Sequence, residues 1–484
     1  MKKSFTQLTP WLIALAAMAV LIIGINRPLT GQHDWNSVVY ANIARIITRH
    51  GLDYQKLGAY FFHYPPLLPL ALTLNFKLFG ISAWSTRLVA VLSSALLVFF
   101  LYKLSRELWH KNTALLTSVF LVFSPMLLYY SKIPVHETLS LGFIAASVWF
   151  YLRWLKEEKT SSFYSLLVSL LLAQLTSWAG FYLSLYLPLH AIIFQRSTAQ
   201  KRRSNLALIL LLAFVVFALH LTHMLVKGPP GSFASFFNVF LFRFNRGEAA
   251  AQVGFSYSQF FTLQLRWLAI YFTRIMLLLI SFWGVRFLVD RLRKRPVSLP
   301  QSFILLWFIF GFTHNVIFRN LAFIHDYMLI YALPFFAVGS AVALEFLFTY
   351  LSRQKILARL MVILFLILFL TERVPYTVAF FNTTKNNPAY PLGLAINNIL
   401  SPEEKILILS PQFMAFYDVF LIFYADRMIT PAASLSSVNI DDFDYAVIPQ
   451  THDYVTSEDK EYLYSHFASF SAGGGVFFNL KKPQ

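Results

Sequence analysis

Acidic residues are rare in the first 371 positions, and some of them stand directly beside long apolar segments. Asp34 follows one such segment, within the run GQHDWN that begins at Gly31. A carboxylate held there among aromatic rings could act as a general base. It could equally cap a helix that begins near Trp35, because Asp is a preferred N-cap residue.

Two further acids lie at the ends of other apolar segments. Glu137 could orient an acceptor or bind a cation, but it could also cap the following helix or pair with Lys132. Asp326, followed by Tyr327 at the start of an apolar segment, could contact a substrate or serve as an N-cap. The sequence leaves these alternatives open for both acids.

Four histidines lie at ends of apolar segments that are expected to share one side of the membrane with these acids: His33, His63, His136 and His325. Three of them adjoin one of the acids. Imidazole and carboxylate together could ligate a divalent metal, for which Asp34, Glu137 and His63 would be the candidate ligands. The histidines lie on four separate segments without tight ligand spacing, which favours hydrogen bonds to a substrate or a loop. The pattern does not require a cofactor.

Cationic residues that are expected on this side of the membrane could bind a phosphate. Arg243 and Arg246 belong to an aromatic segment, where a guanidinium group suits the oxygens of a lipid-linked phosphate or anchors the chain at lipid headgroups. Arg319 and Lys132 could likewise either bind a lipid-linked phosphate or anchor the chain at lipid headgroups. Arg274 lies midway along an apolar segment and is expected to face the bundle interior or a wet cavity.

The composition shows what must position these residues. Of 484 residues, 57% are hydrophobic, 18% aromatic and only 13% charged, so much of the surface must face lipid. Cysteine is absent, which excludes disulfides and cysteine nucleophiles. Residues 1–371 hold 33 Lys and Arg against 10 Asp and Glu, whereas 372–484 hold 7 against 12. This distribution argues against nucleic-acid binding and predicts a membrane domain at 1–371 and a separate domain at 372–484.

A helix crosses a bilayer with roughly 20 mostly apolar residues. By this criterion the sequence predicts an all-α polytopic membrane fold with about eleven transmembrane helices. Alternate connections are rich in Lys and Arg, which identifies their side as cytoplasmic and places the N-terminus there and the C-terminal domain outside. The predicted spans are Leu8–Ile25, Leu88–Leu104, Thr113–Tyr130, Thr138–Leu152, Phe163–Ser177, Ala179–Phe194, Leu206–Leu225, Trp267–Trp283, Phe303–Ile317, Tyr327–Phe348 and Ile356–Leu370.

Two segments between the first and second spans are predicted to be helices lying at the membrane interface. Asn36–His50 has helical periodicity, and Leu67–Phe79 is apolar but too short to cross. The C-terminal domain is predicted to be a small α/β domain outside the cytoplasm. Its expected elements are helices near Leu392–Leu400, Met414–Tyr424 and Ser457–Phe467, and strands at Ile406–Leu409, Tyr445–Ile448 and Gly475–Leu480.

Several motifs, in this order, resemble those of the dolichyl-phosphate-mannose protein mannosyltransferase superfamily. These are the GT-C glycosyltransferases of family 39, which include bacterial aminoarabinose transferases. The resemblance covers roughly residues 5–350 and suggests a bacterial member. The resembling pieces are His33–Asn36, His63–Leu70, Phe79–Leu88, Ser131–Ile133 with Glu137, Ser177–Gly180, and His325–Tyr327 leading to Pro334.

The resemblance implies a GT-C fold and an inverting transfer of a monosaccharide from a polyprenyl-phosphate carrier, such as undecaprenyl phosphate, to a hydroxyl acceptor. The acceptor would be a lipid, a glycan or a protein, and no nucleotide is needed. Asp34 matches the catalytic carboxylate. Residues expected to bind the donor sugar or the acceptor are His33, Glu137, His63, His136, His325, Asp326 and Tyr327. Residues expected to bind the lipid phosphate are Arg243, Arg246, Lys132 and Arg319.

The chain departs from the family pattern in places. Lys132 and Glu137 stand where relatives have Arg and Asp, and Tyr64 stands where aminoarabinose transferases have Lys. Phosphate binding is therefore expected from Arg243 or Arg246. A transporter or flippase of lipid-linked sugars is the alternative function, although the polar residues cluster outside the spans rather than at the midplane. A scaffold that presents the C-terminal domain is a third possibility, for which Asp34 would be dispensable.

Overall fold

The structure is a computed structural model that describes residues 2–195, 200–246, 253–350, 355–382, 387–451 and 455–483. Contacts between residues divide the chain into two compact units. The first unit consists of Met1–Ile25 and Ile46–Ala379, and the second of Asn26–Arg45 and Phe380–Gln484.

The first unit is helical. After the helix Lys2–Leu21, the chain forms α-helices of very different lengths, two of them preceded by 3₁₀ turns. The α-helices after the first are Asp34–His50 (shared with the second unit), Tyr54–Leu57, Leu67–Phe79, Ala83–Leu108, Lys111–Phe123, Pro125–Tyr130, His136–Glu157, Thr160–Thr176, Ala179–Gln195, Gln200–Lys227, Ser232–Arg243, Tyr257–Leu292, Leu299–Ile317, Arg319–Ile324, Leu333–Tyr350 and Lys355–Asn382. The 3₁₀ turns are Ala59–His63 and Asp326–Ala332.

Seven helices of the described residues are long and apolar enough to cross a membrane. Four shorter apolar helices coincide with other predicted spans: Leu8–Leu21, Lys111–Phe123, Thr160–Thr176 and Ala179–Phe194. The predicted fold class, a polytopic helical membrane protein with a small C-terminal α/β domain, is confirmed. The seven long helices are Ala83–Leu108, His136–Glu157, Arg203–Lys227, Tyr257–Leu292, Leu299–Ile317, Asp326–Tyr350 and Arg359–Ala379.

One predicted span is broken in two. Thr113–Tyr130 consists of the helices Lys111–Phe123 and Pro125–Tyr130, joined at Ser124. Proline lacks an N–H donor and disfavours helical backbone in the residue before it, so Ser124 is extended, with φ −66° and ψ 140°. The Ser124 side chain then accepts a hydrogen bond from Leu127 N at 3.2 Å, which caps the second helix.

Helix Tyr257–Leu292 contains a second break, and Arg274, which was expected to face the bundle interior or a wet cavity, does not lie in the bundle interior. Thr273 is non-helical, with φ 61° and ψ 155°. The Glu372 carboxylate accepts hydrogen bonds from the N–H groups of Arg274 at 2.9 Å and Ile275 at 3.3 Å, which the break leaves without helical partners. The Arg274 side chain is 82% exposed, and its Nε lies 3.9 Å from Glu372. The Glu372 carboxylate therefore accepts the hydrogen bonds that the helix break leaves open and lies beside the charge of Arg274.

The second unit contains five strands and three α-helices. The strands are β1 Ile406–Leu409, β2 Thr430–Ala432, β3 Tyr445–Pro449, β4 Phe467–Ala472 and β5 Gly475–Pro483, and the helices are Ala389–Ile399, Pro411–Ala425 and Ser457–His466. The strands form one sheet in the order β2-β1-β3-β5-β4. Strand β1 is parallel to β2 and β3, whereas β5 is antiparallel to β3 and β4. Alternate side chains of β1, including Leu407 and Leu409, pack with Phe478 and Leu463 in an apolar core.

The two compact units have different boundaries from the membrane domain and C-terminal domain that the sequence predicts. The sequence predicts domains at 1–371 and 372–484, whereas contacts group Asn26–Arg45 with the C-terminal residues. The segment that carries Asp34 therefore belongs to the same unit as the C-terminal sheet.

Candidate functional site

Asp34 is the first residue of helix Asp34–His50 and is only 1% exposed. Its Oδ2 accepts a hydrogen bond from Gly31 N at 2.8 Å, and its own N–H donates to the Gly31 carbonyl at 3.0 Å. The preceding residue, His33, has φ 64°, a left-handed conformation that non-glycine residues rarely adopt. The His33 ring nitrogen Nε2 lies 3.3 Å from Gln32 Nε2. A tight turn thus presents a buried carboxylate at a helix N-terminus, where the helix dipole favours negative charge.

In the first unit, three of the predicted site segments meet in a stack of side chains. The Tyr64 ring lies parallel to the His136 ring, with 4.2 Å between centroids and 9° between planes. The central guanidinium carbon of Arg243 lies 4.6 Å from the centre of the Tyr64 ring. His136 Nδ1 donates to the Thr176 carbonyl at 2.6 Å, so in the neutral imidazole Nε2 is the acceptor. We call Tyr64, His136 and Arg243 the ring stack.

Arg243 is the last residue of helix Ser232–Arg243 and is buried. A guanidinium group on an aromatic face gains a cation–π interaction and keeps donors at its edge for other groups. Burial raises the pKa of Tyr64, so this phenol is a neutral hydrogen-bonding group at pH 7. The ring stack therefore contains a cation held among neutral rings.

His63 lies beside the stack in sequence and makes its own contacts. Its Nε2 is 2.9 Å from Ser235 Oγ, and its backbone carbonyl accepts a hydrogen bond from Trp178 Nε1 at 3.3 Å. Burial, and then the charge of Arg243, lower the pKa of His63 to about 4. His63 is therefore neutral at pH 7 and can act as a hydrogen-bonding group rather than as a cation.

Glu137 lies in the first turn of helix His136–Glu157 and is 2% exposed. Val135 occupies the N-cap position, so Glu137 is not the cap. Among the residues that the structure describes, no donor reaches the Oε1 atom of Glu137. A buried carboxylate oxygen without a hydrogen bond is costly unless a ligand supplies the donor. This orphaned oxygen, adjacent to the ring stack through His136, indicates a site for a hydroxyl or amino group.

Asp326 already has protein partners. One carboxylate oxygen accepts a hydrogen bond from Tyr130 at 2.9 Å, and the other from Tyr271 at 2.5 Å. The two phenolic oxygens are 3.1 Å apart. Such a closed, buried network joins helices and is typical of a structural role. The next residue, Tyr327, is buried, with its ring centroid 6.0 Å from that of Tyr130 and 5.1 Å from that of the half-buried His325.

The other predicted phosphate ligands lie in different surroundings from Arg243. Lys132 is buried, and its Nζ donates to the Leu128 carbonyl at 2.7 Å. Arg319 donates to the Tyr257 hydroxyl at 2.7 Å. Arg246 is exposed beyond the end of its helix. Of these cations, Arg243 is the one that the structure brings to the ring stack.

His314, which is not among the site residues expected from the sequence, has features of a binding residue. It is 2% exposed, and within the described part of the chain neither of its ring nitrogens has a hydrogen-bond partner. Its ring centroid lies 5.5 Å from that of Tyr331, whose hydroxyl is 2.9 Å from Ser177 Oγ. The sequence feature that could have indicated this role is the position of His314 near the outer end of the predicted span Phe303–Ile317.

A divalent metal was one possibility raised by the sequence. Within the ranges that the structure describes, no group of three or more His, Asp or Glu side chains could hold a metal ion. The suggested ligands Asp34, Glu137 and His63 do not form such a group.

Comparison with known proteins supports the fold and the family resemblance. Residues 63–223 match the family model described as dolichyl-phosphate-mannose-protein mannosyltransferase. This range contains His63, the ring-stack residues Tyr64 and His136, and Glu137. No curated protein sequence matches the chain.

Solved structures match almost the whole chain. ArnT from Cupriavidus metallidurans bound to undecaprenyl phosphate is similar with a TM-score of 0.68 and 17% identity over 97% of both chains. The same protein in the apo state matches with a TM-score of 0.67 and 16% identity over 98% of both chains. The archaeal oligosaccharyltransferase AglB from Archaeoglobus fulgidus, in complex with an inhibitory peptide and a dolichol-phosphate, has a TM-score of 0.57 and 15% identity. That match covers 98% of this chain and 74% of AglB.

These matches confirm the resemblance inferred from the motifs. The shared fold extends through the C-terminal domain, which the motifs do not cover. The chain is therefore a polytopic helical protein with the GT-C fold, and within it residues 63–223 are similar to the dolichyl-phosphate-mannose-protein mannosyltransferases.

Proposed function

We propose that this protein is an inverting glycosyltransferase that moves a monosaccharide from a polyprenyl-phosphate carrier to a hydroxyl group of a lipid, a glycan or a protein. The observation that carries the proposal is the buried Asp34 carboxylate at a helix N-terminus, in a chain with the GT-C fold. Two proteins of similar fold were solved with undecaprenyl phosphate and with dolichol-phosphate, which supports a donor of this class.

Asp34 is the general base of the proposed reaction. The acceptor oxygen forms the new bond to the anomeric carbon as its proton passes to the Asp34 carboxylate. The bond between that carbon and the phosphate oxygen breaks, and the electron pair leaves with the lipid phosphate. Attack from the face opposite the leaving group inverts the anomeric configuration. The hydrogen bond from Gly31 holds one carboxylate oxygen and fixes the orientation of the group.

Arg243 is the proposed ligand of the departing lipid phosphate. The phosphate gains negative charge as the glycosidic bond breaks, and a fixed guanidinium group stabilises that charge through paired N–H donors. The Tyr64 face restrains the guanidinium, so little reorganisation is needed during the reaction. Lys132, Arg246 and Arg319 are secondary candidates for this role.

The hydrogen-bonding groups around the ring stack are the proposed sugar or acceptor ligands. Glu137 offers an orphaned carboxylate oxygen, and His136 offers an imidazole acceptor nitrogen. His63 is neutral and can exchange hydrogen bonds with a hydroxyl group. His33, His325, Asp326 and Tyr327 complete the proposed set, of which Asp326 has the strongest protein contacts.

The reaction takes place at the extracytoplasmic face of the cytoplasmic membrane in this proposal. The basic connections between spans support a cytoplasmic N-terminus and an extracytoplasmic C-terminal domain. Cysteine residues introduced singly at Lys2 and at Lys481 test this orientation in a chain that has no native cysteine. A membrane-impermeant thiol reagent applied to intact cells is expected to label the second position and not the first, and the reverse pattern would contradict the orientation.

The function is tested with purified protein in lipid and a panel of synthetic polyprenyl-phosphate sugars. The parent chain is compared with Asp34→Asn, and Asp53→Asn is the matched control, because Asp53 caps a short helix through its bond to Lys56 N. The parent and the Asp53→Asn variant are expected to transfer sugar or slowly hydrolyse one donor. The Asp34→Asn variant is expected to lose at least about 10³-fold in rate, since the amide cannot act as the base.

Two results would overturn parts of this proposal. Full activity of a folded Asp34→Asn variant would remove the assignment of the base. A parent chain that neither binds nor consumes any polyprenyl-phosphate sugar would contradict the glycosyltransferase function.

A further inference from the structure

The segment Asn26–Arg45, which contains Asp34, is attached to the C-terminal residues by side-chain hydrogen bonds. Asn42 Nδ2 donates to the Val419 carbonyl at 2.9 Å. At the start of the segment, Arg27 donates to the Phe381 carbonyl at 3.1 Å and covers the Phe381 ring at 4.6 Å. The partners are more than 350 positions away in sequence. These bonds therefore join the beginning of the chain to its end.

Arg45 makes the central contact on the helical side of Asp34. Its side chain is 5% exposed, and its Nη1 donates to the Ile422 carbonyl at 2.7 Å and to Asp426 Oδ1 at 3.2 Å. Ile422 lies in the last turn of helix Pro411–Ala425, where carbonyl groups have no helical partner. A cation at this end also interacts favourably with the helix dipole. Arg45 thus satisfies a group that the C-terminal helix itself leaves open.

Tyr424 makes the contact on the other side of Asp34. Its hydroxyl accepts a hydrogen bond from the backbone N–H of Leu29 at 2.5 Å. The Tyr424 ring packs edge-on against Tyr390, with 4.7 Å between centroids. Leu29 is fully buried, so the hydroxyl supplies a partner to an N–H group that has no access to water. A single oxygen of the C-terminal helix therefore fixes the chain five positions before Asp34.

Asp34 lies between these two anchors. Arg45 is eleven positions further along the same helix as Asp34, a distance of about 16 Å in a rigid α-helix. The turn between Leu29 and Asp34 includes His33 in its left-handed conformation, which persists only where surrounding structure holds it. Both ends of this strained turn and helix are thus bonded to one helix, Pro411–Ala425.

We propose that the C-terminal residues Phe380–Gln484 act as a positioning module for the catalytic base, and that Tyr424 of this module and Arg45 of the Asp34 helix are the positioning residues. This inference rests on the proposed function of Asp34. A base must lie within hydrogen-bonding distance of the proton that it removes, and a shift of about 1 Å can lower a rate about 10²-fold. The module acts on the chemical step, and binding of the donor does not depend on it.

The experiment uses the full chain in lipid and the donor found active in the functional assay. Tyr424→Phe removes only the oxygen that bonds Leu29, and Arg45→Met removes the second anchor while Arg45→Lys restores a cation. Arg427→Met is the matched control, since Arg427 bonds the carbonyls of Leu400 and Ser401 in the same unit. Melting temperatures and the kcat and KM for the donor are measured for every variant.

Tyr424→Phe and Arg45→Met are expected to lower kcat about tenfold or more, with the donor KM within about twofold of the parent. Arg45→Lys is expected to recover part of kcat, and Arg427→Met to keep the parent kcat even if its melting temperature falls. In an Asp34→Asn background, Tyr424→Phe is expected to cause no further loss, because no base remains to be positioned.

The outcomes separate this inference from the proposed function. If Asp34→Asn is inactive but Tyr424→Phe has the parent kcat, the positioning role is wrong and the base assignment stands. If Tyr424→Phe lowers the rate equally in the parent chain and in the Asp34→Asn background, the effect is not exerted through the base, and the positioning role is again wrong. If Arg427→Met lowers kcat as much as Arg45→Met, the loss reflects unfolding of the unit. Activity of Asp34→Asn itself would remove the proposed function.

Discussion

The two units of this protein carry polar groups of different kinds. The second unit holds Asp34, a carboxylate in a tight turn, bonded to a backbone amide and placed at a helix N-terminus. The first unit holds the ring stack, in which the cation Arg243 lies against the neutral rings of Tyr64 and His136. Proton removal requires a basic group with a fixed orientation, whereas phosphate binding requires a fixed positive charge. In the proposed function, these two tasks belong to residues of different units.

The units also differ in how they hold their groups. The ring stack combines Tyr64, which follows the 3₁₀ turn Ala59–His63, with the first residue of helix His136–Glu157 and the last residue of helix Ser232–Arg243. The Asp34 segment is held by hydrogen bonds to a helix of the C-terminal domain. Substitutions in the two units are therefore expected to change different kinetic quantities.

Replacing the cation of the ring stack is expected to have the largest effect in the first unit. Arg243→Met removes the charge but keeps a long apolar side chain against Tyr64, so the packing is largely retained. We expect kcat/KM for the polyprenyl-phosphate sugar to fall about 10²-fold or more, as for other fixed groups that stabilise developing charge. Arg246→Met, three positions away and exposed, is the matched control. Equal losses in both variants would contradict a specific role for Arg243.

Replacing the orphaned carboxylate is expected to have an intermediate effect. Glu137→Gln keeps the shape and one carbonyl oxygen but removes the charge that strengthens a hydrogen bond to a ligand. Since charge-assisted hydrogen bonds are about twice as strong as neutral ones, we expect a loss of about tenfold in kcat/KM. The melting temperature should rise or stay constant, because a buried unsatisfied carboxylate destabilises the fold. A large fall in melting temperature without a change in kinetics would show a structural role.

Acidification is expected to destabilise the first unit through His63. The folded state lowers the pKa of His63 to about 4, so the unfolded chain binds the proton more strongly. The stability contributed by the neutral ring is complete above pH 6.5 and is lost as the pH falls from 6.5 towards 4. His63→Gln should flatten this part of the curve of melting temperature against pH. An unchanged curve in His63→Gln would contradict the assigned environment.

Removing Arg319 is expected to have the smallest effect. Its side chain donates to the hydroxyl of Tyr257, and exposed interactions of this type contribute little. Arg319→Gln should change kcat/KM by less than about twofold. A loss comparable with that of Arg243→Met would place Arg319 in the phosphate site and would require the roles of the arginines to be revised.

Local elements with clear boundaries could be predicted from the sequence. Helix Leu67–Phe79 begins and ends at the predicted residues, because Pro66 precedes it and Gly80, with φ 78°, ends it. Strand Ile406–Leu409 also has the predicted bounds, since a short apolar run between polar residues fits a buried strand. The break at Thr273 could not be predicted, because neither proline nor glycine marks it and its capping acid, Glu372, is distant in sequence.

The candidate site was only partly predictable for a similar reason. The sequence placed Glu137 and His136 at the end of a predicted span and Arg243 in an aromatic segment, but the stacking of Tyr64 on His136 depends on the packing of distant segments. The sequence pattern does not distinguish Arg243 from Arg246. The helix ends at Arg243, which is buried, whereas Arg246 lies beyond the helix and is exposed. The attachment of Asn26–Arg45 to the C-terminal helix joins residues 377 positions apart and leaves no local pattern.

The division of tasks is tested most directly by measuring donor affinity and turnover together in Asp34→Asn and Arg243→Met. Undecaprenyl phosphate binding to the purified proteins gives the affinity, and single-turnover transfer gives the rate. The account predicts that Asp34→Asn binds the lipid phosphate like the parent but transfers sugar at least about 10³-fold more slowly, whereas Arg243→Met binds it at least about tenfold more weakly. If Asp34→Asn lost affinity as strongly as Arg243→Met while retaining turnover of bound donor, the assignment of base and phosphate ligand to different units would be contradicted.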